Sequence, residues 1–226
     1  MLATMKQTAL LVDFFHKKGR RLTCNKGDYI IQPGEFPPGV FYIVEGLVKA
    51  YNVSRHDEEN LLVIRKEHEL FPLIWAITGR ERQVAYQALA PTVLFCAPRD
   101  DFAAFLHDNP GILAPLMDMT LEMYRLHSER VINLEYRTVR ERIISFLLTM
   151  GQRFGSITKD GVVINAPLRH QDIASSINSS RETTSRELAI MERRGMLGRA
   201  SSYIVLKDPK ALRDYLRHPE PTSNSA

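Results

Sequence analysis

The hydrophobic period of this 226-residue chain changes at Asn109-Pro110-Gly111, and that change limits its fold more than any other feature. Before it, short runs rich in β-branched and aromatic residues follow one another at 29–31, 40–44, 47–51, 61–64 and 92–95. Lys26-Gly27-Asp28, Gln32-Pro33-Gly34-Glu35, Glu45-Gly46 and the polar stretch 54–60 separate them. Closely spaced strands with Gly and Pro between them predict an antiparallel barrel or roll. After the change, Leu113, Met117, Thr120, Tyr124, His127, Val131, Leu134 and Thr138 recur at alternating intervals of four and three, a heptad seam. Leu116, Met119, Met123 and Leu126 form a second apolar face. A helix apolar on two sides needs two partners. One is its own sheet; the other is the same helix of a second subunit or a core within the single chain.

Composition removes several classes. At 44% hydrophobic and 25% charged, with 12 Gly and 12 Pro, the chain is neither collagen-like, low-complexity nor wholly disordered. No uninterrupted apolar stretch approaches the roughly 18 residues that span a bilayer. The first residues lack a secretory h-region, and Asp13 interrupts the best candidate. These features predict a cytoplasmic protein with no membrane partner. Cys24 and Cys96 are too few for an all-cysteine zinc or iron–sulfur site and read as buried, inert thiols, so no metal site is expected. His68, His107 and His127 leave a haem ligand open, but an isolated histidine is more often a satisfied structural one, and no cofactor is expected.

A third pattern begins near residue 138. Residues 139–154 are amphipathic through Ile143, Ile144, Phe146, Leu147, Leu148 and Met150, 162–164 read as a strand, and 169–177 and 180–194 as two helices. Asn178-Ser179 makes the turn between those helices, where Asn accepts a left-handed backbone more readily than most residues. Ile173, Ala174 and Ile177 face inward on the first helix, and Leu188, Ile190 and Met191 on the second. Ala174 is small, as a close crossing demands. Ser180 suits an N-cap and Gly195 the position just past a helix end. A strand at 203–206 and a short helix at 209–217 follow, and 218–226 reads as a disordered tail.

Charge falls unevenly between these regions. Residues 1–137 hold 16 basic and 17 acidic side chains (−1), whereas 138–226 hold 14 and 9 (+5). That asymmetry places any polyanion-binding role in the second part. There the second helix opens with Arg181, Glu182, Ser185 and Arg186. Arg pairs with guanine O6 and N7, Glu accepts from cytosine N4, and Ser adapts, so these residue types suit the major groove. The competing reading makes them a solvated, salt-bridged surface with Glu182–Arg186 as an i,i+4 pair. The helix–short turn–helix pattern in a basic segment favours DNA.

The run Ser180-Arg181-Glu182-Thr183-Thr184-Ser185-Arg186, followed by Met191-Glu-Arg-Arg-Gly-Met-Leu197, resembles the recognition helix of the Crp/Fnr family of bacterial transcription regulators. Gly34, Tyr42-Ile43-Val44-Glu45-Gly46 and Ser128-Glu129-Arg130-Val131-Ile132-Asn133-Leu134 resemble that family's roll and dimer-helix patterns. The resemblance implies an α+β chain with an N-terminal antiparallel β-roll, a long dimerisation α-helix and a C-terminal winged helix-turn-helix domain. Its divisions would be 1–109 (the roll with an N-terminal helix), 110–137 (the dimerisation helix), 138–217 (the DNA-binding domain) and 218–226 (the tail). It further implies a homodimer on double-stranded DNA with palindromic TGA-containing half-sites, and RNA polymerase as a partner. Glu182 and Arg186 would read the G·C pairs, Ser185 and Arg181 would adjust flanking bases, Ser180 would open the helix at the DNA, and His170 and Gln171 would touch phosphates.

The same resemblance locates an effector pocket at Arg82, His127 and Ser128. Cyclic-AMP binders of the family carry Gly-Glu-Leu and Arg-Ser or Arg-Thr where this chain has Phe71-Pro72-Leu73 and Arg82-Gln83-Val84. The effector is therefore expected not to be cyclic AMP; the roll senses an unidentified small molecule or only supports the dimer. The residues 134–138 form the expected hinge. Two other classes compete. One is a small-molecule-binding signalling module whose helical domain contacts protein. The other is an enzyme, against which stands the lack of a Gly-rich phosphate loop, HExxH, GxSxG or a nucleophile–base motif.

Overall fold

The computed structural model of the protein describes residues 2–54, 59–80 and 83–217. Internal contacts divide the chain into two units that meet between His127 and Ser128.

The first unit begins with α1 (Leu2–Lys18) and continues through β1 (Arg20–Cys24), β2 (Tyr29–Ile31), β3 (Val40–Glu45), β4 (Val48–Val53), β5 (Glu59–Arg65), β6 (Leu70–Phe71), α2 (Leu73–Thr78), β7 (Ala85–Ala88), β8 (Thr92–Ala97) and α3 (Arg99–Asp108). A 3-10 turn, Pro110–Ile112, leads into the long helix α4 (Leu113–Tyr136). The strands form two antiparallel four-stranded sheets, ordered β1-β8-β3-β6 and β2-β7-β4-β5. All five runs read as strands form strands. Gly46 turns the chain between β3 and β4 at φ +98°, where an added Cβ would collide with the Pro91 carbonyl.

Strand β3 explains how this unit holds together. Phe41 and Ile43 point into the space between the sheets with Phe71, Leu94, Val48, Ala50 and Tyr86. Val40 and Tyr42 point the other way, into a second core with Leu70 and Phe95 of neighbouring strands, Phe14, Phe15, Phe102 and Leu116 of helices, and Ile112 of the 3-10 turn. A strand covered on both faces loses the polar alternation of a half-buried one, so β3 is apolar along most of its length. Stacked rings fill both layers: Phe41–Phe71 at 5.0 Å, Phe71–Tyr86 at 4.6 Å and Phe14–Phe105 at 4.4 Å between centroids. His68 is tied down here, its Nδ1 2.7 Å from the Tyr42 hydroxyl. Cys24 and Cys96 are half-buried rather than buried, and burial pushes both thiol pKa values up.

The second unit contains α5 (Val139–Phe154), β9 (Gly155–Thr158), β10 (Gly161–Ile164), α6 (His170–Ser176), α7 (Arg181–Arg193), β11 (Leu197–Ala200), β12 (Tyr203–Leu206) and α8 (Pro209–Arg217). Its sheet runs β11-β12-β10-β9, all antiparallel. Helix α5 starts where Thr138 and Glu141 form a reciprocal capping box. Its inner face buries Ile143, Ile144, Leu147, Leu148 and Met150. The overall arrangement is an antiparallel roll, a long helix and a C-terminal winged helix-turn-helix.

Compactness divides the chain elsewhere than the expected border at 137/138. The last turns of α4 belong to the second unit, where Arg130 Nη2 donates to the Ser175 carbonyl at 3.4 Å and Asn133 Nδ2 to Ser145 Oγ at 2.8 Å. Helix α4 does end at Tyr136, inside the expected hinge, and its backbone is helical through 127/128. The tail at 218–226 lies outside the described residues.

On α4 the two apolar faces differ in exposure over the first part of the heptad pattern, while Leu134 of the seam is half-buried. Leu116 is buried and Met119, Met123 and Leu126 are half-buried, whereas Leu113, Met117, Tyr124 and Val131 are exposed. Leu121, Ile132 and Tyr136 widen the exposed stripe.

Candidate nucleic-acid interface

Helices α6 and α7 pack through residues that are almost wholly shielded. Ile173, Ala174 and Ile177 of α6 meet Leu188 and Met191 of α7, while Ile190, expected inside, is only half-buried. Thr184 takes an interior position instead, at 0% exposure, with its Oγ1 lacking a hydrogen-bond partner. Between the helices Asn178 adopts φ 51°, the left-handed conformation anticipated for it. Ser179 N donates back to the Ala174 carbonyl at 3.0 Å, and Arg142 from α5 holds the Ile177 carbonyl at 2.8 Å. The turn is thereby fixed from both sides.

Ser180 caps α7: its Oγ accepts from Thr183 N at 3.1 Å and donates to Thr183 Oγ1 at 3.0 Å. Arg194 and then Gly195, at φ +69°, close the helix and turn the chain into β11. Arg140 of α5 braces the middle of α7 by pairing with Glu187 at 2.8 Å. These supports brace α7 and leave its amino-terminal end uncovered.

Arg181, Glu182 and Arg186 are all exposed there. Neither a hydrogen bond nor an ion pair within the described residues engages Glu182 or Arg186, so the i,i+4 pair between them is not formed. Gln171, at the second position of α6, is also exposed. His170 and Ser185 are half-buried and bonded to each other, with Nδ1 2.8 Å from Oγ. The other ring nitrogen of His170 lies 3.1 Å from Nη2 of Arg199, a β11 residue whose Nε reaches Glu192 at 2.7 Å. His170, expected at a phosphate, thus has a protein partner on each nitrogen. Burial pulls its pKa down, the nearby Arg199 and Arg181 charges add to that, and Glu192 opposes it.

Arg199 was not singled out by sequence reasoning. Its partners lie 29 and 7 positions away in the chain. The basic character of the segment is the only linear hint of its role.

In the first unit a cavity of about 400 Å³ opens among Arg65, Pro72, Leu73, Trp75, Tyr86, Met119, Met123 and His127. Of the three residues expected to line an effector pocket, His127 does so. Ser128 falls in the second unit and Arg82 lies outside the described residues. The cationic group that does line the cavity is Arg65, paired with Glu69 at 3.5 Å.

Comparisons with known proteins agree with this architecture. The Crp-like helix-turn-helix domain family matches residues 141–215 and the cyclic nucleotide-binding domain family residues 21–109. A global nitrogen regulator of a Nostoc species is 31% identical over 193 residues, 84% of this chain and 86% of its own. The global nitrogen regulator of a Synechocystis species is 29% identical over 218 residues, 92% and 96% of the two chains. Among solved structures, FixK2 from Bradyrhizobium japonicum superimposes with a TM-score of 0.74 over 87% of this chain and 96% of its own, at 22% identity. These relatives are regulators rather than enzymes, and no helix among the described residues is long and apolar enough to cross a membrane. The chain belongs to the Crp/Fnr family of DNA-binding transcription regulators.

Proposed function

We propose that the protein acts inside the cell as a homodimer on palindromic DNA with TGA-containing half-sites. The observation that carries this reading is the exposed, unpaired pair Glu182 and Arg186 at the start of a braced helix. Three residues separate them along the helix, so both lie on one face and can address neighbouring base pairs. Arg186 would donate to guanine O6 and N7, and Glu182 would accept from cytosine N4. Arg181 and Ser185 reach the flanking steps, Gln171 a phosphate, and Ser180 stays at the helix cap. His170, with both nitrogens engaged, supports the reading helix from behind.

A dimer supplies the second half-site. The exposed residues Leu113, Met117, Tyr124 and Val131 belong to the heptad seam, and its burial against a twin α4 would make a two-fold dimer. To read both half-sites, such a dimer must present its reading helices about 34 Å apart, one turn of DNA. RNA polymerase is the partner through which such a bound dimer would alter transcription.

Any effector would enter the cavity beside Pro72 and Arg65. Pro72 has no side-chain acceptor for a ribose hydroxyl, so cyclic AMP is not the signal. A titration calorimetry experiment should register no tight cyclic AMP binding; a strong exotherm at one site per chain would refute this.

The deciding experiment is selection from random duplexes with wild type, Glu182→Ala and Arg186→Ala. Wild type should return a two-fold symmetric TGA-containing site. Each variant should lose preference at a G·C pair, with about tenfold or greater weakening on the selected site and an unchanged thermal midpoint. Retained preference in both variants would sink the assignment.

A further inference from the structure

The contacts around His170 decide which atom carries the ring proton. A guanidinium has only donors, so His170 Nε2, 3.1 Å from Arg199 Nη2, must accept. In a neutral imidazole the remaining nitrogen then bears the hydrogen. Nδ1 therefore donates to Ser185 Oγ across 2.8 Å. The Ser185 hydroxyl thereby receives a hydrogen bond from within the protein, and its own proton is left to turn outward. No other hydrogen bond engages Ser185 among the described residues.

We propose that His170, oriented by Arg199 of β11, is a positioning residue that biases Ser185 from an adaptable hydroxyl toward acting as a hydrogen-bond donor to the base it faces. This inference rests on the DNA reading above and adds a rule to it. A hydroxyl able to give or accept tolerates every base edge. One with an acceptor lone pair already filled and its proton turned outward favours guanine, thymine or adenine, each of which offers a major-groove acceptor, over cytosine, which presents only the N4 donor. The cytosine amino group would meet another donor.

Three elements meet in this contact: α6 through His170, α7 through Ser185 and Glu192, and β11 through Arg199. The charged groups facing the imidazole are Arg199 on β11 and Arg181 and Glu192 on α7, and the Arg169–Asp172 pair neighbours it on its own helix. The two arginines and burial keep the ring neutral, the form the assignment needs. Strand β11 would thus affect sequence choice through Arg199 and the imidazole it orients.

The test uses the full chain and random-duplex selection with wild type, Ser185→Ala and His170→Ala. Comparing wild type with Ser185→Ala identifies the base that residue 185 faces. Wild type should disfavour cytosine there by about fivefold, the worth of one hydrogen bond. Ser185→Ala removes that bias. His170→Ala should remove it at the same base, because the freed hydroxyl regains both acceptor lone pairs and can turn to give or to accept, while selection at the G·C pairs read by Glu182 and Arg186 persists. A purely structural role would weaken every sequence alike and leave the base preferences in place; that outcome overturns the proposal, as does a Ser185→Ala profile identical to wild type. If wild type itself selects no consensus, the DNA reading fails first and takes this inference with it.

Discussion

Helices α4 and α7 each leave one face uncovered, and the two faces are chemically opposite. On α4 the uncovered stripe is mostly apolar, with Tyr124 and Tyr136 at 70% and 75% exposure and Thr120 and His127 as polar positions of the seam. At the amino-terminal end of α7, where the helix dipole is positive, they are the polar Arg181, Glu182 and Arg186. Hydrophobic burial is indifferent to direction and favours another apolar surface. Unpaired donors and acceptors held rigidly favour a partner with a matching edge pattern. The same chain therefore carries one surface suited to a copy of itself and one suited to a polyanion.

Salt should separate these surfaces most widely. Between 50 and 200 mM salt, DNA affinity should fall by about a thousandfold or more if six or more phosphates are neutralised. Self-association measured by sedimentation over the same range should scarcely change. Equal salt dependence of both would erase the distinction. The next largest effect is expected from charge on the stripe. Val131→Glu places a carboxylate twice in a two-fold seam, and dimerisation should weaken by about a hundredfold or more, since an unpaired buried charge costs several kcal/mol. Because Val131 is exposed in the single chain, the thermal midpoint at low concentration should hold.

Two substitutions under α7 sharpen the comparison from the inside. Ala174→Leu crowds a fully buried helix crossing and should cost about 1–3 kcal/mol in denaturant unfolding, with DNA affinity falling too as the reading helix shifts. Thr184→Val replaces a buried hydroxyl that has no hydrogen-bond partner with a group of the same shape. It should raise stability by about 1 kcal/mol and leave base selection untouched. A loss of selection would mean that Thr184 has a role beyond packing.

The elements that could be read in the sequence are those whose local signals agree with their packing. Helix α5 spans Val139–Phe154 as expected because Thr138 caps it and its apolar period is regular. The turn at Asn178 and the stop at Gly195 follow from backbone preferences of single residues. Strands β1 and β7 were illegible: Arg20-Arg21 and Ala85-Tyr86-Gln87-Ala88 have little strand character, and pairing with β8 and β4 imposes it. At the candidate site, exposure of Glu182 and Arg186 was foreseeable from helical spacing. The engagement of His170 was not, because Ser185 and Arg199 approach it only after three elements have packed. The effector residues fared similarly: Arg65 reaches the cavity through the register of β5, which no linear motif announces.

The anchors of Arg130 and Asn133 bear on how this regulator can be rebuilt. Sensor domains are ordinarily exchanged at the end of a linker, which here suggests cutting at residue 138. A graft made there would discard the two side chains that grip Ser175 and Ser145, and with them the handle by which the reader is held. Splicing at 127/128, in helical phase, keeps both side chains with the unit they grip, so a foreign domain fused there would leave that packing whole.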